Sequence, residues 1–259
     1  MIVFAAIVPH PPESIAGIGA KKDKVKIKKT LEAFEKIREG LEKSKPDTIL
    51  IISPHAKMEN YVFVINSSPT LRGNLAEFGV DEMIEFENDI MLADKVSYYA
   101  EMNGAPAHLH ENFLDYGAIV PLMHLTKNIK PKVLHLAFSM LNYEKHYSFG
   151  QVIGKMCKNS KKRIAVIASG DLSHRLSIDS PAGYSSRARF FDEKIIGFLF
   201  ENNFHGNFGL DKDFIEEVAE CGLRSIAILL GIISKEKYKF HLLNYEGPLG
   251  IGYLVARFI

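Results

Sequence analysis

The chain has 259 residues, of which 47% are hydrophobic and 24% charged, and its formal net charge is +1. That balance is globular rather than disordered, suffices for one well-packed domain, and gives no bulk attraction to nucleic acid or an anionic membrane. No apolar run approaches the roughly twenty residues that span a bilayer, and two cysteines, Cys157 and Cys221, cannot build a disulfide framework, so a reducing cytoplasm is the expected setting.

Residues 2–8 form an apolar, β-branched run that breaks at Pro9-His10-Pro11-Pro12. Without a basic leader it reads as a first strand, not a signal peptide. After a Gly-containing loop at 15–20, Val25, Ile27, Leu31, Phe34, Ile37 and Leu41 fall near helical spacing and predict one helix over 21–44. The lysines at 21, 22, 24, 26, 28 and 29 read as its solvated face. Residues 48–52 are a second strand running into Ser53-Pro54-His55. A third strand at 62–65 precedes an expected polar loop containing Pro69 and Gly73. A helix over 89–102 stops at Asn103-Gly104. His108 and His110, two apart, share one side of an extended segment, and Asp115-Tyr116-Gly117 makes a turn before a short helix ending at 125.

The second half continues the alternation, with a strand at 132–138, a helix at 146–158 and a strand at 163–168. That strand enters Ser169-Gly170-Asp171-Leu172-Ser173-His174. Helices follow at 186–201, 212–218 and 223–234, and strands at 240–244 and 251–258 close the chain. With no repeat or linker, the pattern predicts a single α/β domain over residues 1–259. Its central sheet is mixed but mostly parallel, flanked by helices, with the site at the strand carboxyl ends.

Three of those ends carry histidine: His10, His55 and His174. Imidazole is the commonest protein ligand for transition metals, so His10 and His55, built alike after proline, suggest one shared metal site. Asp171 and Ser173 can cap their turn or orient His174. Glu220, just before the apolar helix at 223, suits a helix cap as well as a third ligand; two imidazoles and one carboxylate would suit non-haem Fe(II). The same donors also suit Zn(II) with a bound water, hence a hydrolase. No phosphate-binding loop, dinucleotide glycine fingerprint or nucleophile elbow is present in the sequence.

Taken together, Val8-Pro9-His10-Pro11-Pro12, Ser53-Pro54-His55, Asp115-Tyr116-Gly117, Ser169 to His174 and Glu220-Cys221-Gly222 resemble the catalytic subunits of class III extradiol dioxygenases. The closing Tyr245-Glu246-Gly247-Pro248-Leu249-Gly250-Ile251-Gly252-Tyr253 is similar to the AmmeMemoRadiSam-associated branch of that family. The resemblance implies an Fe(II)-dependent dioxygenase that opens a small catechol-like ring with O2. It implies His10, His55 and Glu220 as ligands, His174 as acid/base, and Tyr116, Asp115 and Asp171 at the substrate. One position departs: ring-cleaving members usually carry histidine where this chain has Tyr116, and a phenol is a poor proton shuttle at neutral pH. The related Memo proteins carry a cysteine near the third-ligand position, which makes Cys221 the reserve ligand. That branch implies a metal-binding protein without ring cleavage, partnered by an AMMECR-type protein and a radical-SAM enzyme. Zn(II) is the alternative metal, and a homo-oligomer is left open.

Overall fold

The opening apolar run becomes β1 (Ile2–Val8), buried from Phe4 onward. The structure, a computed structural model, describes residues 1–203 and 209–258. The helix expected over 21–44 is two, α1 (Lys21–Lys26) and α2 (Lys28–Ser44). They separate at Ile27, which leaves helical geometry and is wholly buried. Next come β2 (Thr48–Ser53) and β3 (Phe63–Asn66), each buried along its length. The expected polar loop around Pro69 and Gly73 is instead a hairpin, β4 (Thr70–Leu75) and β5 (Val80–Glu87), paired antiparallel. Its solvent face is acidic, which hid the alternation that buries Leu71 and Leu75.

The chain continues through α3 (Ile90–Met102), β6 (Ala107–His110), α4 (Tyr116–Leu125), β7 (Lys132–Ala137), α5 (Tyr143–Lys158) and β8 (Ile164–Ser169). It closes with α6 (Ala188–Phe200), α7 (Lys212–Val218), α8 (Leu223–Ile233), β9 (Phe240–Glu246) and β10 (Tyr253–Phe258). Helix α5 starts earlier than expected because Asn142 caps it, its side chain accepting from Lys145 N.

The large sheet has the order β6-β3-β7-β2-β8-β1-β10-β9. Its centre, β7-β2-β8-β1, is parallel, while β3 joins β7, and β10 joins β1 and β9, in antiparallel pairs. Alternation divides the core: Ala5, Ile7, Leu50 and Ile52 pack with α3, α5, α6 and α8, whereas Phe4, Ala6, Val8, Ile49 and Ile51 face α2, α4 and the hairpin. No helix among the described residues is long and apolar enough to cross a membrane.

The three strands that end in a predicted site motif, β2, β8 and β1, are therefore immediate neighbours at the middle of the sheet. Their carboxyl ends open on one place.

Candidate metal centre

Two features of the backbone bring the donors in. Gly170, at the end of β8, lies so close to Gly222 that a Cβ there would stand 2.2 Å from the Gly222 Cα. Only glycine allows this approach, and it lays Cys221 beside Asp171: Asp171 N donates to Cys221 Sγ at 3.2 Å, and Cys221 N and Gly222 N donate to Asp171 O at 3.3 and 2.9 Å. Gly117 does the same at the start of α4, where a Cβ would meet Ser53 Oγ at 2.7 Å and His55 Cδ2 at 3.1 Å.

His10 is buried, while His55 presents an edge to solvent. Their Nε2 atoms are 3.1 Å apart, and Cys221 Sγ lies 3.7 Å from His10 Nε2. Burial lowers the His10 pKa to about 3, and His55 is lowered by desolvation and by facing His10, so both rings are neutral at pH 7. Burial also raises Cys221 well above an ordinary thiol, so binding a metal would release a proton.

The His10 tautomer is set from a distance. Pro121 sits inside α4 and, lacking an N–H, cannot bond the carbonyl of Gly117 four residues before it. Ser169 Oγ donates to that carbonyl instead. Its hydrogen committed, Ser169 Oγ accepts from His10 Nδ1–H at 3.0 Å. The His10 lone pair is thereby left on Nε2, aimed into the site.

Tyr116 stacks on His55, with ring centroids 4.3 Å apart and planes at 16°, and its hydroxyl lies 2.9 Å from His55 Nε2. Burial pushes this phenol up, so it stays protonated and acts as a hydrogen-bond donor. Asp115, beside it, is engaged inside the protein: one oxygen accepts from Ser53 Oγ and the other from His135 Nε2 at 3.1 Å. Burial opposes its ionisation, yet His135 and Ser53 outweigh that and hold its carboxyl below the ordinary value. His135 was not singled out in the sequence; a lone polar residue inside the apolar strand β7 is the signal that marks it.

Asp171 and His174 stand on the other side of Cys221. Asp171 Oδ1 accepts from His10 N at 3.2 Å, while Oδ2 is 3.4 Å from His10 Nε2 and 4.0 Å from His174 Nε2. Burial raises Asp171 to about 6. The His174 Nδ1 donates to Leu172 O at 3.0 Å.

Glu220, expected as the third ligand, does not converge with these donors. Its Oε2 accepts from Leu223 N at 2.6 Å and its Oε1 from Tyr143 OH at 3.3 Å, so it caps α8 and faces a separate cavity of about 460 Å³. Burial raises its pKa. Among the described residues, the donor atoms within 4.8 Å of one another are those of His10, His55 and Cys221, and those of Asp171, His174 and Cys221; Glu220 joins neither group. The surface histidines are apart as well, His108 pairing with Glu59 at 3.1 Å.

The donor set fits a metal ion. For a tetrahedral ion with bonds of about 2.1 Å to nitrogen and about 2.3 Å to sulfur, ligand-to-ligand edges are roughly 3.4 Å for N–N and 3.6 Å for N–S. The observed 3.1 and 3.7 Å are close to both. A thiolate with two imidazoles suits Zn(II) and Cu(I) and also binds Fe(II).

A family model described as "Catalytic LigB subunit of aromatic ring-opening dioxygenase" matches residues 4–256. Protein CA_C1420 of Clostridium acetobutylicum is 32% identical over 97% of this chain, which spans only 56% of that relative. The 3,4-dihydroxyphenylacetate 2,3-dioxygenase of Escherichia coli is 24% identical, with 92% of each chain covered. The crystal structure of uncharacterized protein JW3007 from Escherichia coli K12 shares the fold, with a TM-score of 0.70 at 14% identity, covering 98% of this chain and 99% of that one.

Proposed function

The chain belongs to the family of catalytic LigB subunits of aromatic ring-opening dioxygenases, and from that membership we propose that it opens a small catechol-like ring with O2, using a ferrous ion held by His10, His55 and Cys221. The observation that carries the reading is the convergence of the two Nε2 atoms and the Cys221 sulfur, with His174 Nε2 beside them. Cys221 takes the place that the family resemblance gives to Glu220. Bound there, iron supplies a Lewis acid for the catechol oxygens and an electron path to dioxygen.

The residues do the rest. His174, its Nδ1–H fixed on Leu172 O, has only Nε2 free to take a catechol proton and return it later. Tyr116, a protonated phenol over the open edge of His55, donates a hydrogen bond to a substrate oxygen. Asp115 holds the turn beneath Tyr116 through Ser53 and His135 and does not reach the substrate. The buried strand ends at Val8 and Ser53 limit water at the reacting groups.

A second reading is favoured by two observations, the sulfur among the donors and the phenol at the usual histidine position: a Memo-like metal-binding partner of AMMECR-type and radical-SAM proteins, without ring cleavage. One experiment separates them. Protein loaded anaerobically with Fe(II), then mixed with oxygenated buffer and a panel of catechols at pH 7, is expected to consume O2 in proportion to ring-opened product. Bound iron with no uptake across the panel overturns ring cleavage and leaves the second reading.

A further inference from the structure

Cys221 belongs to two donor groups at once, His10 with His55 on one side and Asp171 with His174 on the other. The second group has an unusual distribution of hydrogens. Leu172 O can only accept, so in the tautomer this bond selects His174 Nδ1 carries the hydrogen and Nε2 the lone pair. That lone pair lies 4.0 Å from Asp171 Oδ2. On the other flank, His10 Nε2, also a lone pair because Ser169 fixes the tautomer, lies 3.4 Å from the same oxygen. The hydrogen bond that Asp171 receives from His10 N goes to Oδ1. Oδ2 therefore faces electron pairs on both sides.

Electron-pair donors that converge with no hydrogen between them are a place for a cation. One ion on His10 and His55 does not use His174 Nε2, whose ring is held toward Asp171 by its bond to Leu172. Thiolate sulfur, unlike imidazole nitrogen, has lone pairs enough to bind two ions.

We propose that the protein holds a second metal ion on Asp171, His174 and Cys221, with the Cys221 thiolate bridging it to the ion on His10 and His55. The inference rests on the reading of His10, His55 and Cys221 as a metal site. One oxygen, one nitrogen and one sulfur, with a fourth position for water, match Zn(II). Forming the bridge releases the thiol proton to solvent and involves no redox step. The second ion also takes the lone pair of His174 Nε2, so an excess of such a metal removes the base that ring opening needs.

The test is equilibrium dialysis of metal-free protein against Zn(II), with metal per chain counted by mass spectrometry and folding checked by melting. The expected result is two ions in the parent protein, and one each in Asp171→Asn and His174→Gln. Cd(II) substitution adds a readout independent of activity: two ¹¹³Cd resonances in the thiolate range, both lost in Cys221→Ser. One ion in the parent and one in both variants overturns the second site and leaves the first standing. Loss of all metal in folded Asp171→Asn also overturns it, by making Asp171 a ligand of the first ion. No ion in the folded parent overturns the metal reading itself.

Discussion

His10 and His55 point their Nε2 atoms at each other across 3.1 Å, with both rings held neutral. On His10 that nitrogen is the lone-pair end, because Ser169 receives the hydrogen of Nδ1. His55 Nε2 is left to be shared between His10 and the Tyr116 hydroxyl. Two facing imidazole nitrogens need either one proton or one cation between them. The sulfur of Cys221 at 3.7 Å is the third donor that the proposed cation would use.

Removal of a ligand should be visible in metal content alone. His10→Ala, His55→Ala and Cys221→Ala are each expected to weaken binding of the first ion by at least about 100-fold, more than the 10–100-fold typical of losing an outer partner. Glu220→Gln should leave it bound and cost about 1 kcal/mol of stability through the cap on α8. Metal titration and chemical denaturation measure both. Metal lost from Glu220→Gln but kept in Cys221→Ala would return the third-ligand role to the carboxylate.

Ser169 touches no metal in this scheme, yet it orients one. Ser169→Ala removes the acceptor of His10 Nδ1–H and frees the ring to place its hydrogen on Nε2. The expected loss is about 10–100-fold in metal affinity with every ligand still present. An affinity equal to the parent's would mean that the tautomer is set elsewhere.

His174 separates chemistry from binding. His174→Gln should keep the first ion and lose about 10²–10⁴-fold in turnover, the range of a general acid/base group. Rapid-mix oxygen consumption with iron-loaded protein gives the rate. A variant as active as the parent removes His174 from the mechanism.

Tyr116 decides whether the altered position blocks ring opening. Its phenol is pushed up by burial and cannot exchange protons near pH 7, whereas imidazole can. Tyr116→His is therefore expected to raise oxygen uptake with simple catechols by about 10-fold or more, within the general acid/base range. Unchanged uptake would show that the phenol does not limit the reaction.

Another buried histidine gives a pH test away from the site. His124 stacks on Phe34 with centroids 4.8 Å apart and lies 2.9 Å from Ser14 Oγ; burial, helped by Lys127, lowers it from 6.5 to about 4. Below 6.5 the unfolded chain takes up the proton first, so its contribution is complete above 6.5 and is lost as pH falls toward 4. The slope from this group is up to about 1.4 kcal/mol per pH unit across that window. Denaturation from pH 7 to 4.5 should show a flatter acid limb in His124→Gln than in the parent; identical limbs would dismiss the effect.

Strand-end motifs were the legible part, because a β-branched run cut by proline or glycine fixes both a strand and the place where it stops. His10, His55, Asp171 and His174 came from that pattern and meet in space. The choice between Glu220 and Cys221 was not legible: they are neighbours, and which one turns inward depends on Gly170 meeting Gly222, a contact between segments about fifty residues apart. The hairpin β4–β5 was missed because its exposed face is acidic and its buried face short. Asp192 was missed for a third reason. It sits within α6, yet it is fully buried, accepts from Ser173 N at 2.9 Å and from Tyr245 OH at 2.7 Å, and so steadies the His174 turn from a helix that carries no motif.

His10 and His55 follow β1 and β2, Asp171 and His174 follow β8, and Cys221 is packed onto the end of β8 through Gly170 and Gly222, so the centre is tied to the middle strands of the eight-stranded sheet. Opening it means parting these strand ends. A bound ion therefore stabilises the whole domain rather than a loop, by about 2.7 kcal/mol when the free ion is a hundredfold above its dissociation constant. Metal supply and protein lifetime become linked: a chain starved of its ion is more often fully open, and so more available to proteases, throughout its length.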